Sequence, residues 1–145
     1  MYEYNCKIVR IIDGDTVDVD IDLGFDVCLK KQRIRLAGID APESRTTDQV
    51  EKKFGVMAKN FVKGRLPIGS NQILKTQLDD SRGKFGRILG EFIVEGTSRK
   101  EDTTLNKLLI ATNNAVSYFG QSKKEIEAAH LENRRILNAR ATLEE

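Results

Sequence analysis

The sequence predicts an α+β fold, mainly β, in which five strands form a small antiparallel barrel packed against three helices. From Val17 to Leu23, apolar residues alternate with aspartates, which is the period of a half-buried strand. From Phe54 to Leu66 the apolar residues instead recur at helical spacing, and the last third of the chain carries helix-capping patterns. Strands interrupted by one helix and followed by two more are typical of a small barrel with helical packing.

The elements follow in order along the chain. Strands are predicted at residues 6–12, 17–23, 28–39, 73–78 and 87–94, with Asp13-Gly14 as the first turn and Gly38 permitting a bend before Asp40. The predicted core stripe of the first helix consists of Phe54, Met57, Ala58, Phe61, Val62 and Leu66. Thr104 is expected to cap a short second helix, and Ser122 with Glu125 forms a capping box that opens a third through Leu137.

Length and charge limit what the chain can be. Its 145 residues fit one domain, which we place at 1–145 with a core at roughly 5–140. Lys and Arg number 24 against 22 Asp and Glu, so the net charge is only +2. Attraction to nucleic acid must therefore come from local clusters such as Lys30, Lys31, Arg33 and Arg35.

Cys6 and Cys28 lack the CxxC spacing of metal or redox sites, and we predict two free, buried thiols, with a disulfide or a metal role as the alternative.

The N-terminus has no basic segment followed by an apolar one, and no stretch reaches the roughly 18 apolar residues of a membrane span. We expect a monomer without membrane contact, cytoplasmic as given and secreted if a leader has been removed.

Three segments bring carboxylates and arginines together: IDGDTV at 12–17, RLAGIDAPES at 35–44 and RGKFGR at 82–87. Two acids with a nearby Glu suit a hard divalent cation, and separated arginines suit a phosphate. The chemistry indicated is metal-assisted attack on a phosphodiester. Asp15 has the parity of the apolar residues that follow it, so its side chain should point toward the end of the core.

Those motifs, with Leu105, Asn106, Leu108 and Leu109 in the second helix, resemble the staphylococcal nuclease (thermonuclease) family in order and spacing across nearly the whole chain. The resemblance implies an OB-fold barrel with three helices. It also implies a calcium-dependent nuclease that cleaves DNA and RNA, with the 5′ oxygen leaving so that products end in a 3′-phosphate.

By this resemblance, Asp15, Asp40 and the backbone carbonyl of Ala41 would bind calcium. Such a site is open, because calcium takes about 6–8 oxygens and water and substrate must supply the rest. Asp13 resembles a residue just outside the ligand sphere, although its place in a turn is an adequate explanation by itself.

The same resemblance makes Glu43 the general base that activates water, and Arg35 and Arg87 the clamps on the phosphate. A guanidinium fork suits that task because it can hold two oxygens and stabilise the charge of the five-coordinate transition state.

Lys84, Phe85 and Tyr118 would contact the nucleotide. The chain departs from the family here, since Phe85 and Gly120 stand where the type member has tyrosines. We expect this departure to weaken mononucleotide binding, although aromatic stacking tolerates Phe.

Other chemistries fit less well. His130 is the only histidine, which excludes mechanisms that need a histidine base together with histidine ligands, and we interpret it as a residue on the face of the last helix. The rival function is a non-catalytic OB-fold module that binds nucleic acid or a peptide. Such modules typically lose the acids or the arginines, whereas both are retained here.

Overall fold

The computed structural model describes residues 2–76, 87–94 and 103–144. Its strands are β1 (Tyr2–Asp13), β2 (Thr16–Gly24), β3 (Val27–Leu36), β4 (Ile39–Asp40), β5 (Asn71–Thr76), β6 (Ile88–Val94), β7 (Thr103–Thr104) and β8 (Val116–Ser117). Its helices are α1 (Gln49–Arg65), α2 (Leu105–Ala111) and α3 (Lys123–Glu144). The predicted α+β class, with five principal strands and three helices, is confirmed.

The five long strands pair in a ring. β1 lies between β2 and β5, β2 also pairs with β3, and β5 also pairs with β6, all of them antiparallel. The ring is completed by β3 and β6, which run parallel, with Ile34 opposite Ile88 and Leu36 opposite Gly90. The expectation of an all-antiparallel barrel is therefore wrong at this one pair. Parallel neighbours need a long crossover, and the chain from β3 through α1 and β5 to β6 provides it.

The barrel is filled mainly by aliphatic side chains from its five long strands and is closed by α1 and α2. Fully buried members include Ile8, Val17, Val19, Ile34, Leu36, Leu74, Phe92, Leu105 and Leu109. From α1, which packs on β1, Phe54, Ala58 and Val62 are buried, as is the following Leu66. Met57 was predicted to belong to this stripe but is 38% exposed, because its position lies at the solvent edge of the helix face.

The helix starts agree with the predicted caps. The Thr104 hydroxyl accepts from the Lys107 N–H, and the Ser122 hydroxyl accepts from the Glu125 N–H. α1 begins one turn earlier than its apolar stripe, because Asp48 accepts from the Val50 and Glu51 amides. Within the described ranges, no helix combines the length and the apolar character that a membrane crossing requires.

The predicted strand at 28–39 is divided in two. β3 ends at Leu36, Gly38 adopts a φ of 76°, and the chain resumes as β4, which pairs with β8 instead of with the barrel. This bend turns Asp40 away from the line of β3.

The two cysteines also differ from expectation: both are free, but only Cys6 is buried, and Cys28 is exposed near the tip of the β2–β3 hairpin.

Candidate active site

Asp15 lies in the turn between β1 and β2, where its side chain points toward the end of the core as its parity predicts. One carboxylate oxygen accepts from the Thr16 hydroxyl at 3.0 Å, and the other accepts from the Ala41 N–H at 2.9 Å. The residue is only 8% exposed. Burial raises the pKa of Asp15 and outweighs the opposing influence of Arg35 and of these hydrogen bonds.

Arg35 and Asp40 complete a cluster with Asp15 at one end of the barrel. Arg35 Nη1 lies 3.5 Å from Asp15 Oδ2, and Arg35 Nη2 lies 3.5 Å from Asp40 Oδ1. Its close hydrogen bond is to the backbone carbonyl of Leu36, at 3.0 Å. The guanidinium fork therefore faces two carboxylates. It brings together Asp15 and Asp40, which are 25 positions apart in the sequence.

His130 is a member of the cluster that sequence reasoning missed. Its Nε2 lies 2.8 Å from Asp40 Oδ2, so Asp40 is held between Arg35 and α3. The prediction that His130 is an ordinary helix-face residue is wrong. No local pattern marked it, because the contact joins positions 90 residues apart.

The segment 41–44 is held against β1 and α1 by small residues and one aspartate. Asp13 accepts hydrogen bonds from both the amide and the hydroxyl of Ser44. Gly55 of α1 packs directly on the backbone of Glu43, and a Cβ there would overlap the Glu43 carbonyl. Gly14 is similarly close-packed, since an added Cβ would come within 2.7 Å of the Ala58 Cβ. These contacts fix the backbone of Glu43 and therefore the position from which its side chain extends.

Glu43 itself is exposed in a cleft of about 420 Å³ between the 40–43 segment, the start of α1 and the inner face of α3. Its side chain has no hydrogen bond or ion pair to any of the residues that the structure describes. Asp40, Ala41 and His130 also line this cleft. The carboxylate is therefore available to solvent beside the Asp40 cluster.

The structure describes only some of the remaining predicted site residues. Arg87 immediately precedes β6, whose first residue, Ile88, pairs with Ile34, the neighbour of Arg35 in β3. Tyr118 is 47% exposed and donates its backbone N–H to the Gly38 carbonyl, just before the β4 segment that carries Asp40. Lys84 and Phe85 lie outside the described residues. Gly120 has a φ of 90°, so a tyrosine at that position would strain the backbone.

The candidate metal-ligand atoms in this cluster are carboxylate oxygens, which suit a hard divalent cation. Across residues 2–76, 87–94 and 103–144, no three His, Cys, Asp or Glu side chains form a ready-made ligand set. Asp15 and Asp40 nevertheless lie against one guanidinium at 3.5 Å, longer than the roughly 2.7–2.9 Å of a close charge-assisted bond. A cation would also compensate the charge of the Asp15 carboxylate, whose pKa is raised by burial. The residues fit a cation site with few protein ligands.

Five long strands form a small barrel with a parallel closing pair, and two aspartates surround an arginine at one end. This arrangement is that of an OB-like domain with a charged cluster at its end. The model of the family described as staphylococcal nuclease homologue matches residues 33–141, most of the chain. The chain therefore belongs to the staphylococcal nuclease family.

Similar proteins include two thermonucleases and an endonuclease. The chain is 33% identical to the thermonuclease of Staphylococcus hyicus over 88 residues, 60% of this chain and 47% of that protein. It is 36% identical to the thermonuclease of Staphylococcus intermedius over 83 residues, 57% of this chain and 44% of that protein. Endonuclease YncB of Bacillus subtilis (strain 168) is 33% identical over 97 residues, 67% of this chain and 43% of that protein. The matched part spans less than half the length of each relative.

Proposed function

We propose that this chain is a calcium-dependent nuclease that hydrolyses phosphodiester bonds of DNA and RNA and leaves 3′-phosphate ends. The observation that carries the proposal is the convergence of Asp15 and Asp40 on Arg35, beside a cleft in which Glu43 is unpaired among the described residues. Membership of the staphylococcal nuclease family supports it, as does the similarity to proteins named thermonuclease and endonuclease.

Glu43 is the proposed general base. Its backbone is packed on Gly55, and its side chain is exposed in the cleft without a competing partner among the described residues. A carboxylate in this position can accept a proton from water as the water attacks the phosphorus. The water oxygen forms a new bond to phosphorus as the bond to the 5′ oxygen breaks, so the phosphate stays on the 3′ oxygen of one fragment. The departing 5′ oxygen takes up a proton from solvent, and the other fragment ends in a 5′-hydroxyl.

Arg35 and Arg87 are the proposed phosphate clamps. The Arg35 guanidinium has five N–H donors, and its close hydrogen bond among the described residues uses one of them, with Leu36. Its Nη atoms also lie 3.5 Å from Asp15 and Asp40. The donors that these contacts leave open would bind phosphate oxygens and stabilise the charge that grows in the transition state. Calcium, when bound by Asp15, Asp40 and the Ala41 carbonyl, would supply the charge that lets a phosphate approach two carboxylates.

The test is digestion of single-stranded DNA and of RNA in calcium, in magnesium and in chelator, with the products analysed for 3′-phosphate ends. We expect turnover in calcium, little in magnesium because of its stricter octahedral geometry, and none in chelator. Asp40→Asn, purified identically, controls for contaminating nucleases. Equal rates in the two metals would overturn the calcium assignment, and full activity in chelator would overturn the mechanism. DNA binding without cleavage would favour the non-catalytic module.

A further inference from the structure

The two carboxylate oxygens of Asp40 have different partners. His130 Nε2 lies 2.8 Å from Oδ2, whereas Arg35 Nη2 lies 3.5 Å from Oδ1. A carboxylate accepts hydrogen bonds, so the imidazole N–H is the donor in the closer contact. The His130 side chain is 13% exposed, so the imidazole is largely shielded from water, whereas the Asp40 side chain is 32% exposed beside the cleft. The imidazole, more than the guanidinium, therefore determines how the Asp40 carboxylate is rotated.

The position of His130 is itself held by a second contact of α3. One turn further along the helix, Asn133 Nδ2 donates to the Ala115 carbonyl at 3.2 Å, and Asn133 Oδ1 accepts from Asn113 at 3.0 Å. Ala115 directly precedes β8, in which Val116 pairs with Asp40. The helix and Asp40 are thus attached to the same short strand, and the distance between His130 and Asp40 is set from both sides.

We propose that His130 is a positioning residue that holds the Asp40 carboxylate in the orientation required to bind a divalent cation, and so makes α3 part of the site. This inference rests on the proposed function. Without the imidazole, the remaining partner of the Asp40 side chain among the described residues is Arg35. The carboxylate would turn toward the guanidinium, and a cation would have to compete with that ion pair. Loss of a hydrogen-bonding partner of a metal ligand typically weakens metal affinity by about 10–100-fold.

The experiment is a calorimetric calcium titration of the full chain and three variants. His130→Phe keeps a ring on the helix but removes the donor, and we expect calcium affinity to fall by about 10-fold or more. His130→Gln restores an N–H donor and should recover most of that loss. Arg135→Ala is the matched control, since Arg135 is an exposed residue of the same helix whose partner is Glu132, and its affinity should equal that of the parent.

Thermal melts of the same proteins without calcium separate positioning from folding. A purely structural role would lower the melting temperature of His130→Phe and leave the calcium affinity of the folded protein unchanged. Because His130 is the only histidine, its ring resonances are unambiguous, and Asp40→Asn should shift them. Equal affinity in His130→Phe and the parent would overturn this inference and leave the calcium site standing. A parent that binds no calcium would overturn the calcium assignment together with it.

Discussion

At the scale of single residues, Asp15 is a carboxylate whose charge is costly to bury. Its carboxylate is buried, and burial raises its pKa despite the neighbouring Arg35, the Ala41 N–H and the Thr16 hydroxyl. A charge that is desolvated and only partly compensated opposes folding. We therefore expect the charge of Asp15 to destabilise the metal-free fold.

Asp15→Asn should accordingly raise the melting temperature of the protein in chelator while abolishing activity. The amide can keep both local contacts, because its oxygen can accept from the Ala41 N–H and its NH₂ can donate to the Thr16 hydroxyl. Differential scanning calorimetry measures the effect, and a rise of ~2–4 °C corresponds to about 1 kcal/mol in a domain of this size. A lower melting temperature would show that the ion pair with Arg35 outweighs the burial cost.

Glu43→Gln should lower turnover by about 10²–10⁴, the range expected for removing a positioned general base, and leave binding of a short DNA nearly unchanged. Glu127→Gln is the matched control, since Glu127 lines the same cleft from α3 and its charge is removed in the same way. Single-turnover cleavage and fluorescence anisotropy measure the two quantities. Comparable losses in both variants would mean that the charge of the cleft, and not proton transfer, is what matters.

At the scale of elements, the site depends on how closely α1 approaches the 41–44 segment. Gly55 permits that approach, because a Cβ would overlap the backbone of Glu43. The second glycine near the end of α1, Gly64, has nothing within 4 Å of the position of a Cβ. One helix therefore contains one glycine required by packing and one that is not.

Gly55→Ala should destabilise the fold and reduce activity, because the clash involves backbone atoms that cannot move without displacing Glu43. Gly64→Ala should instead stabilise the protein and leave activity intact. The gain should be below the roughly 0.5–1 kcal/mol of a helix interior, because Gly64 is the penultimate residue of α1. Urea unfolding of both variants measures the difference. If the two alanines behave alike, the packing of α1 on Glu43 is looser than the structure indicates.

At the scale of the whole molecule, the closed ring of strands joins the parts of the site. Asp15 follows β1, Arg35 is in β3, Asp40 is in β4, and His130 approaches from α3, so each belongs to a different element. The β3–β6 pair and the β4–β8 pair hold these elements in one unit. A ligand that binds between them should stabilise the entire domain and not one loop.

Calcium should therefore raise the melting temperature of the whole protein in a single transition. A ligand present at about 100 times its dissociation constant stabilises the folded state by about 2.7 kcal/mol. The rise should be lost in Asp15→Asn, and magnesium at the same concentration should produce a smaller one. Thermal melts followed by both far-UV circular dichroism and tyrosine fluorescence test the prediction, and non-coincident transitions would contradict a single unit.

Much of this protein was determined by local sequence. The alternation of Val17, Val19 and Ile21 predicted the inward face of β2, and the same parity correctly predicted that Asp15 points inward. The caps at Thr104 and Ser122 placed two helix starts. These features are local, because strand parity and capping depend on residues only a few positions apart.

Tertiary structure alone decided the rest. The parallel β3–β6 pair, the division of β3 from β4 and the contact of His130 with Asp40 all join segments distant in sequence. The tertiary structure also decided exposure, since Met57 and Cys28 are apolar or small and yet stay exposed among the described residues. Periodicity shows which residues share a face. Only the arrangement of the elements shows which face is covered, and which side chains from remote segments meet there.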